Sequence, residues 1–294
     1  MTQTPTPTGS PATPSRTPDV RRLRLVTHGD PTVTAAVLPD LVAAVRTHGA
    51  EVVLGEEEVA KHPGVEGVAI DRPDDVDLIL VLGGDGTMLR ALGLAVDRPV
   101  ACVGVNHGTF GFLTTMRASE LLGRVPDILG GGLEILELPT VAVETPDGRF
   151  VAINDVFVTA DQLGRMAVLE WAVNGVSLGQ RGCDGILVST PSGSTGYNLS
   201  AGGPVIEWGV DAATVTFVAP HSLDARPLIL GRGHDVRVVS RTRDVGSRVV
   251  VDGHVLATLA PGAAVTIRMA PERARLAILP DRPFLSRYRD KFGR

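Results

Sequence analysis

The strongest constraint on the fold is an unbroken aliphatic run, LILVL at 78–82, which passes directly into the glycine-rich sequence GGDGT at 83–87. A run with no polar alternation is typical of a strand that is covered on both faces, as in a parallel sheet. A second such run lies at 100–105. Helical patterns accompany the two runs at 35–46, 87–95 and 118–129. The alternation from residue 21 to residue 133 therefore predicts an α/β domain with a parallel, Rossmann-like sheet.

A different pattern begins at residue 134 and continues to residue 279, with short apolar segments separated by turn residues. The segments lie at 141–144, 150–159, 167–173, 186–189, 215–219, 236–240, 248–251, 265–269 and 276–279. Asn174-Gly175 and Asp252-Gly253 each stand between apolar segments and predict tight hairpin turns. This half, 134–279, is predicted to be an all-β sandwich, and apolar residues at helical spacing in 280–294 predict a final helix.

The beginning of the chain has a different composition. Thirteen of the first twenty residues are Thr, Pro or Ser, a mixture that buries too little apolar surface to offset the entropy of ordering. Residues 1–20 are therefore predicted to be a disordered leader.

Composition also excludes several classes of function. The 28 basic and 33 acidic residues give a net charge of −5, and only 4% of the residues are aromatic, so nucleic acid is not an expected partner. No apolar run approaches the ~18 residues of a membrane span, so a membrane is not an expected partner either. The two cysteines form no metal-ligand pattern and suit a reducing compartment, which predicts a cytoplasmic protein.

The GGDGT sequence is the first candidate for chemistry. Its glycines allow the backbone to approach a ligand closely, and the start of a helix offers N–H groups that favour phosphate. The predicted phosphate-donor loop comprises Gly83, Gly84, Gly86 and Thr87. Asp85 would repel phosphate unless it holds a metal ion or accepts a proton from an attacking hydroxyl, which points to phosphoryl transfer. A plain strand-to-helix turn with Asp85 as a helix cap is the alternative that these five residues leave open.

Three further motifs follow or interrupt predicted strands. NHGTFGFL at 106–113 is a candidate ligand loop in which Phe112 offers a ring face to a purine, with an ordinary loop and a core phenylalanine as the alternative. Asn154-Asp155 needs polar partners within its strand-like segment; a ribose diol is one solution and a turn between two strands is another. The segment 184–204 runs from an aliphatic strand into hydroxyl groups and glycines, which favours a nucleotide pocket over a flexible linker.

The ordered set of motifs resembles the NAD kinases: GGDGT at 83–87, N-x-G-x-x-G-F-L at 106–113, the Asn-acid pair at 154–155, DGILVSTPSGSTGY at 184–197 and AGGP at 201–204. GGDG alone is shared with diacylglycerol, sphingosine and phosphofructo kinases, so the resemblance depends on the whole set. It implies transfer of a phosphoryl group from ATP or polyphosphate to the 2′-hydroxyl of the adenosine ribose of NAD, which gives NADP. It also implies a divalent metal ion, Mg²⁺, with no ligands assigned, NAD and ATP as partners, and a homodimer or homotetramer.

Carried over by position, the resemblance implies that Asp85 is the general base. The residues that it implies around NAD are Gly86, Arg90, Phe112, Asn154, Asp155, Arg165, Asp184, Thr195, Gly196, Tyr197, Asn198, Leu199, Ser200 and His254. It further implies that the segment 280–294 packs back on the first domain. The chain departs from the common pattern in Asn154-Asp155, which replaces Asn-Glu, in Gly182, where many bacterial members carry a basic residue, and in His254, where glutamine is frequent.

Two other functions remain open from the sequence. A lipid kinase of the same superfamily would share GGDG, although the segment 184–204 argues against it. A non-catalytic NAD(P) sensor would keep the pocket without the reaction, although retention of Asp85 argues against that.

Overall fold

The computed structural model describes residues 15–69, 76–108, 111–162, 164–243 and 245–293. The strands are β1 Ser15–Arg16, β2 Arg22–Thr27, β3 Glu51–Leu54, β4 Val68–Ala69, β5 Leu78–Gly83, β6 Ala101–Asn106, β7 Met116–Arg117, β8 Glu134–Thr145, β9 Gly148–Ala152, β10 Asp155–Ala160, β11 Ala167–Val173, β12 Val176–Cys183, β13 Gly185–Ser189, β14 Ala212–Val218, β15 Leu228–Gly231, β16 Asp235–Ser240, β17 Ser247–Val251, β18 His254–Leu259 and β19 Ala264–Ile278. The α-helices are α1 Leu38–Thr47, α2 Glu56–Lys61, α3 Asp85–Ala95, α4 Leu121–Leu129, α5 Tyr197–Ser200 and α6 Phe284–Phe292. Short 3₁₀ turns occur at Pro31–Val33, Ala118–Glu120 and Gly193–Thr195.

The first half contains the predicted parallel sheet. Its strands run in the order β4-β3-β2-β5-β6, and every neighbouring pair in this order is parallel. Alternate residues of β5 point to opposite faces, so Leu80 packs with α1 and α4 while Ile79 packs with α3. This two-sided burial is the reason that the LILVL run lacks polar residues. The carboxyl end of β5 leads into α3, where the GGDGT sequence lies.

The second half consists of two antiparallel layers packed face to face, which confirms the predicted fold class. One layer has the order β15-β14-β13-β10-β17-β18, and the other contains β12, β11, β16, β19, β8 and β9. Valines from both layers, such as Val143 of β8 and Val158 of β10, share one buried cluster. Both predicted hairpin turns are present, because Asn174 and Asp252 have φ of 48° and each is followed by a glycine with positive φ.

A single long strand joins the two halves. β19 pairs antiparallel with β16 and β8 and then parallel with β6, where Leu276 lies opposite Cys102. The sequence predicted two separate strands at 265–269 and 276–279, and this prediction is wrong. An irregularity in the pairing between Met269 and Arg273, around Pro271, interrupts the alternation of residues but not the strand.

The opposite error concerns 150–159, which was predicted as one strand. The structure divides it into β9 and β10, with Ile153 and Asn154 between them. The break places the Asn154 side chain at a turn, which was the alternative left open for this motif.

The predicted disordered leader also needs correction over residues 15–20. Ser15 pairs with Ile135 in β8, the Thr17 amide donates to the Leu133 carbonyl at 2.9 Å, and Val20 is buried. Backbone pairing with an existing strand compensates for a side-chain composition that offers little to a core. Residues 1–14 lie outside the described part of the chain.

The final helix, α6, lies against the first half. Phe284 belongs to the same buried cluster as Met88 of α3, and the Arg282 side chain bonds Glu120 at 2.9 Å. None of the helices in the described residues combines the length and apolar character needed to cross a membrane.

Candidate active site

Asp85 stands at the first position of α3, directly after the glycine pair that ends β5. Gly84 occupies the N-cap position, and a Cβ atom on Gly83 would overlap the Thr87 side chain. The turn therefore requires glycine for steric reasons, and the first N–H groups of the helix have no partner within the helix. An eleven-residue helix with a free N-terminus favours an anion at this point.

The Asp85 carboxylate binds the loop that follows β6. Its Oδ2 accepts from the Phe112 amide at 2.7 Å and its Oδ1 accepts from the Leu113 amide at 3.0 Å. A Cβ on Gly111 would overlap this carboxylate, so the loop closes on Asp85 only because residue 111 is glycine. Asp85 is thus fixed in orientation by another loop, and it does not act as a plain cap of its own helix.

Asn154 and Asp155 are held by a residue that sequence reasoning treated only as part of a hairpin turn, Asp252. Its carboxylate accepts from three successive amides: Ile153 at 2.7 Å, Asn154 at 2.8 Å and Asp155 at 3.1 Å. A carboxylate that satisfies three backbone donors fixes the local chain path. The Asp-Gly turn was the available sequence signal, but it gave no indication of which backbone the Asp252 side chain would reach.

Asp155 itself is buried, with 9% of its surface exposed. Burial raises the pKa of the Asp155 carboxyl, the negative charge of Asp252 raises it too, and together they bring it to about 7. Burial also raises the pKa of Asp252, although its three N–H donors and His254 act in the opposite direction. A carboxyl that titrates near neutrality is characteristic of functional sites.

The segment after β13 attaches to the same turn. The hydroxyl groups of Thr190 and Ser192 donate to the Ile153 carbonyl at 2.6 and 2.9 Å. A Cβ on Gly193 would overlap the Asn154 carbonyl, so the two motifs are in direct contact. The hydroxyl-rich and glycine-rich composition of this segment is therefore explained partly by close packing against Asn154.

The Asn198 side chain has a structural role, which argues against the predicted direct contact with NAD. Its Nδ2 donates to the Ser194 carbonyl at 3.3 Å and to the Pro204 carbonyl at 3.0 Å, and its Oδ1 accepts from Thr214 at 2.8 Å and Thr216 at 2.7 Å. Two donors and two acceptor positions are the full capacity of an amide side chain. This fully buried amide anchors the segment to β14 and has no remaining capacity for a ligand.

Arg165, Asp184 and Tyr197 line one cleft of about 530 Å³ together with Phe157. The Tyr197 and Phe157 rings meet edge to face at 5.3 Å, and Tyr197 is 44% exposed. Burial raises the pKa of Tyr197, and the charges of Asp184 and Asp155 add to this effect. Tyr197 therefore lies between the cleft and the Asn154-Asp155 turn, and its neighbours in the 3₁₀ turn and helix α5 are Thr195, Gly196, Leu199 and Ser200.

Hydrophobic packing connects Asp85 to the Asn154-Asp155 turn, although the two belong to different halves of the chain. Ile153, immediately before Asn154, is buried in the same cluster as Met88 of α3 and Leu113 of the loop that binds Asp85. The predicted base and the predicted ribose-binding pair are thus attached to one apolar core. His254, directly after the Asp252-Gly253 turn, lies close enough to Asp252 to act against the rise in the pKa of that carboxyl.

Two predicted site residues have their side chains engaged within the protein. Arg90 bonds the Thr27 carbonyl at 2.7 Å and pairs with Glu57 and Glu58 on α2. Phe112 does not offer a ring face to a purine, since it is 4% exposed and packs on Phe284 and Phe292 of α6. This packing favours the alternative of a core phenylalanine, left open by the sequence, because α6 returns to cover the ring. Thr109 and Phe110 of the same motif lie outside the described residues.

The donor set at the site bears on the implied metal. In the part of the chain that the structure describes, no group of three or more His, Cys, Asp or Glu side chains is arranged to hold a metal ion. Mg²⁺ commonly keeps several waters and uses one or two carboxylates together with substrate phosphates. These residues therefore fit a Mg²⁺ ion that arrives with the phosphates of a substrate better than a resident ion.

Comparison with known proteins identifies both halves of the chain. The model of the ATP-NAD kinase N-terminal domain matches residues 51–132, and that of the ATP-NAD kinase C-terminal domain matches residues 153–279. An NAD kinase of Geobacter sulfurreducens is 34% identical over 265 residues, which cover 87% of this chain and 92% of that protein. An NAD kinase of Syntrophotalea carbinolica is 36% identical over 265 residues, with 87% and 93% covered.

Solved structures share the fold. A yeast NADH kinase complexed with NADH has a TM-score of 0.80 at 21% identity, covering 97% of this chain and 92% of that one. An NAD kinase from Archaeoglobus fulgidus in complex with ATP has a TM-score of 0.72 at 24% identity, covering 92% of this chain and 97% of that one. The fold and the matched domains define a phosphotransferase. The chain belongs to the NAD kinase family, which confirms the resemblance seen in the sequence and decides against the lipid kinase alternative.

Proposed function

We propose that Asp85 is the general base for phosphorylation of the adenosine ribose 2′-hydroxyl of NAD, which yields NADP. The observation that carries this proposal is the fixed orientation of the Asp85 carboxylate at the start of α3. This carboxylate accepts from the Phe112 and Leu113 amides of the loop after β6. In the proposed reaction the 2′-oxygen forms a bond to the γ-phosphorus, and the bond from that phosphorus to the bridging oxygen breaks. ADP leaves with the electron pair, and the hydroxyl proton passes to Asp85.

The phosphate donor would lie at the N-terminus of α3. The N–H groups at the start of α3 and the positive end of the helix dipole favour an anionic chain in this position. We take ATP with its Mg²⁺ as the donor, and inorganic polyphosphate as the second candidate, since both present the same phosphate chemistry. Mg²⁺ would neutralise charge on the donor, while Asp85 and the glycine turn fix the geometry of attack.

The ribose would be held by Asn154 and Asp155. The Asn154 Oδ1 atom is buried and has no hydrogen-bond partner among the described residues, so it offers an acceptor to a hydroxyl group. The Asp155 carboxylate, when ionised, accepts from a second hydroxyl. The cleft beside Tyr197, with Arg165 and Asp184, would take a further part of the dinucleotide.

Assembly and location are also part of the proposal. We propose a homodimer or homotetramer, as the resemblance to the NAD kinases implies. The two buried free cysteines are compatible with the reducing cytoplasm that we propose as the location.

The test is substitution of Asp85 by asparagine. Loss of the base should lower kcat by about 10³-fold while the Kd for NAD, measured by calorimetry, changes little. Asp40→Asn is the matched control, because Asp40 is an exposed acid in the first turn of another helix, α1. The assay measures NADP formation with ATP and with polyphosphate, each against NAD and NADH. A kcat for Asp85→Asn within tenfold of the parent value would refute the role.

A further inference from the structure

One peptide group lies between Asp85 and the C-terminal helix. The carbonyl of Phe112 accepts from Arg287 Nη1 at 2.7 Å, and the N–H of the same peptide group, on Leu113, donates to Asp85 Oδ1 at 3.0 Å. A cation therefore bonds one end of this peptide dipole and a carboxylate bonds the other end. Hydrogen bonds in such a chain polarise and strengthen one another, more so where water is excluded.

Arg287 is well placed for this role. It is 3% exposed, it also donates to the Thr114 carbonyl, and its Nε donates to the Arg282 carbonyl at 3.2 Å. Burial lowers the pKa of Arg287 to about 10, and the charge of Asp85 acts in the opposite direction, so the guanidinium is charged at neutral pH. A buried cation of this kind is costly unless its partners are fixed.

The same guanidinium also touches the second half of the chain. Arg287 lies 5.3 Å from the centre of the Trp208 ring, and Phe284 of α6 contacts that ring edge to face at 5.2 Å. Trp208 is two residues beyond Ile206, and the Ile206 amide donates to Ser194 Oγ at 2.9 Å. Helix α6 thus connects the loop that binds Asp85 with the segment that packs against Asn154.

We propose that Arg287 is a positioning residue for the reaction, acting through the 112–113 peptide group to set the orientation of the Asp85 carboxylate. The inference rests on the proposed role of Asp85. Without Arg287, the loop 111–114 loses the cation that bonds its carbonyls, and the carboxylate loses the alignment that it needs toward the ribose hydroxyl. Misplacement of a reacting group by about 1 Å costs on the order of 10²-fold in rate.

The test is a double-mutant cycle with Asp85→Asn and Arg287→Gln, measured as kcat and as the Kd for NAD. Arg287→Gln alone should lower kcat by about 30-fold and leave the Kd for NAD within about threefold. In the Asp85→Asn background, the same substitution should lower kcat by less than about threefold, because the group that Arg287 positions is already absent. Arg289→Gln is the matched control on the same helix, since the Arg289 side chain is 75% exposed.

Arg287→Lys keeps the positive charge but lacks the planar fork, so we expect a kcat more than twofold below that of the parent and above that of Arg287→Gln. If the glutamine variant does not fold, the lysine variant carries the test, and a kcat within twofold of the parent would overturn the inference. Additive losses in the cycle would also overturn it, because they would mean that Arg287 acts independently of Asp85. An active Asp85→Asn variant would refute the base itself, which separates the two failures.

Discussion

Asp252→Asn perturbs the one side chain that bonds the 153–155 turn at three points. Asparagine tolerates the left-handed conformation at this position, where φ is 48°, so the substitution changes hydrogen bonding without backbone strain. The asparagine oxygen can replace Oδ1, which accepts from Asn154 and Asp155, but the amide NH₂ would then face the Ile153 N–H. One donor loses its partner and two bonds lose the assistance of a negative charge.

The expected cost follows from these bonds. Hydrogen bonds to a charged group contribute roughly 1.5–3 kcal/mol each, and an unpaired buried donor costs a similar amount, so we expect a loss of about 3 kcal/mol of folding free energy. For a chain of this size, that loss lowers Tm by roughly 5 °C.

The loss should depend on pH because Asp155 is near. At pH 6 Asp155 is mostly protonated, since its pKa is about 7, and the charge of Asp252 does not oppose it. At pH 8 Asp155 is ionised, and removal of the Asp252 charge relieves repulsion between the two carboxylates. The variant should therefore lose more stability at pH 6 than at pH 8.

The assay is calorimetric or fluorimetric unfolding of parent and variant at both pH values. Asn174→Asp, in the other hairpin turn, is the control, because Asn174 has the same φ of 48° and its side chain accepts from the exposed Asp235 amide. A change in Tm below about 2 °C, or an equal change at pH 6 and pH 8, would show that Asp252 does not hold the turn as described.

Two further predictions concern the residues beside this turn. Because the pKa of Asp155 is raised to about 7, the folded state should lose stability as pH rises from about 4 to 7, and NAD affinity should increase as pH rises through 7. Asp155→Asn should abolish both trends. Unfolding experiments and calorimetric titrations with NAD across pH 5–9 measure them. Asn198→Ala removes four buried hydrogen bonds and should lower stability by about 3 kcal/mol, measured by urea unfolding, whereas a ligand-contact role would instead raise the Kd for NAD without changing Tm.

Local sequence patterns determined much of this protein. The LILVL run predicted a doubly covered strand because a parallel strand must be apolar on both faces, and the following glycines predicted the turn into α3. The Asn174-Gly175 and Asp252-Gly253 pairs predicted their hairpins because few other residues adopt positive φ. The order of the motifs was sufficient to identify the family.

The tertiary structure alone decided which groups meet. Asp252 reaches amides about 100 positions earlier in the chain, and Arg287 reaches a loop 175 positions away, so no local pattern carries either contact. Phe112 and Asn198 have the residue types of ligand contacts, but the return of α6 and the position of β14 give them partners within the protein. Residue type fixes what a side chain is able to bind, whereas its partner depends on how distant segments pack, and that is settled by the burial of the core as a whole.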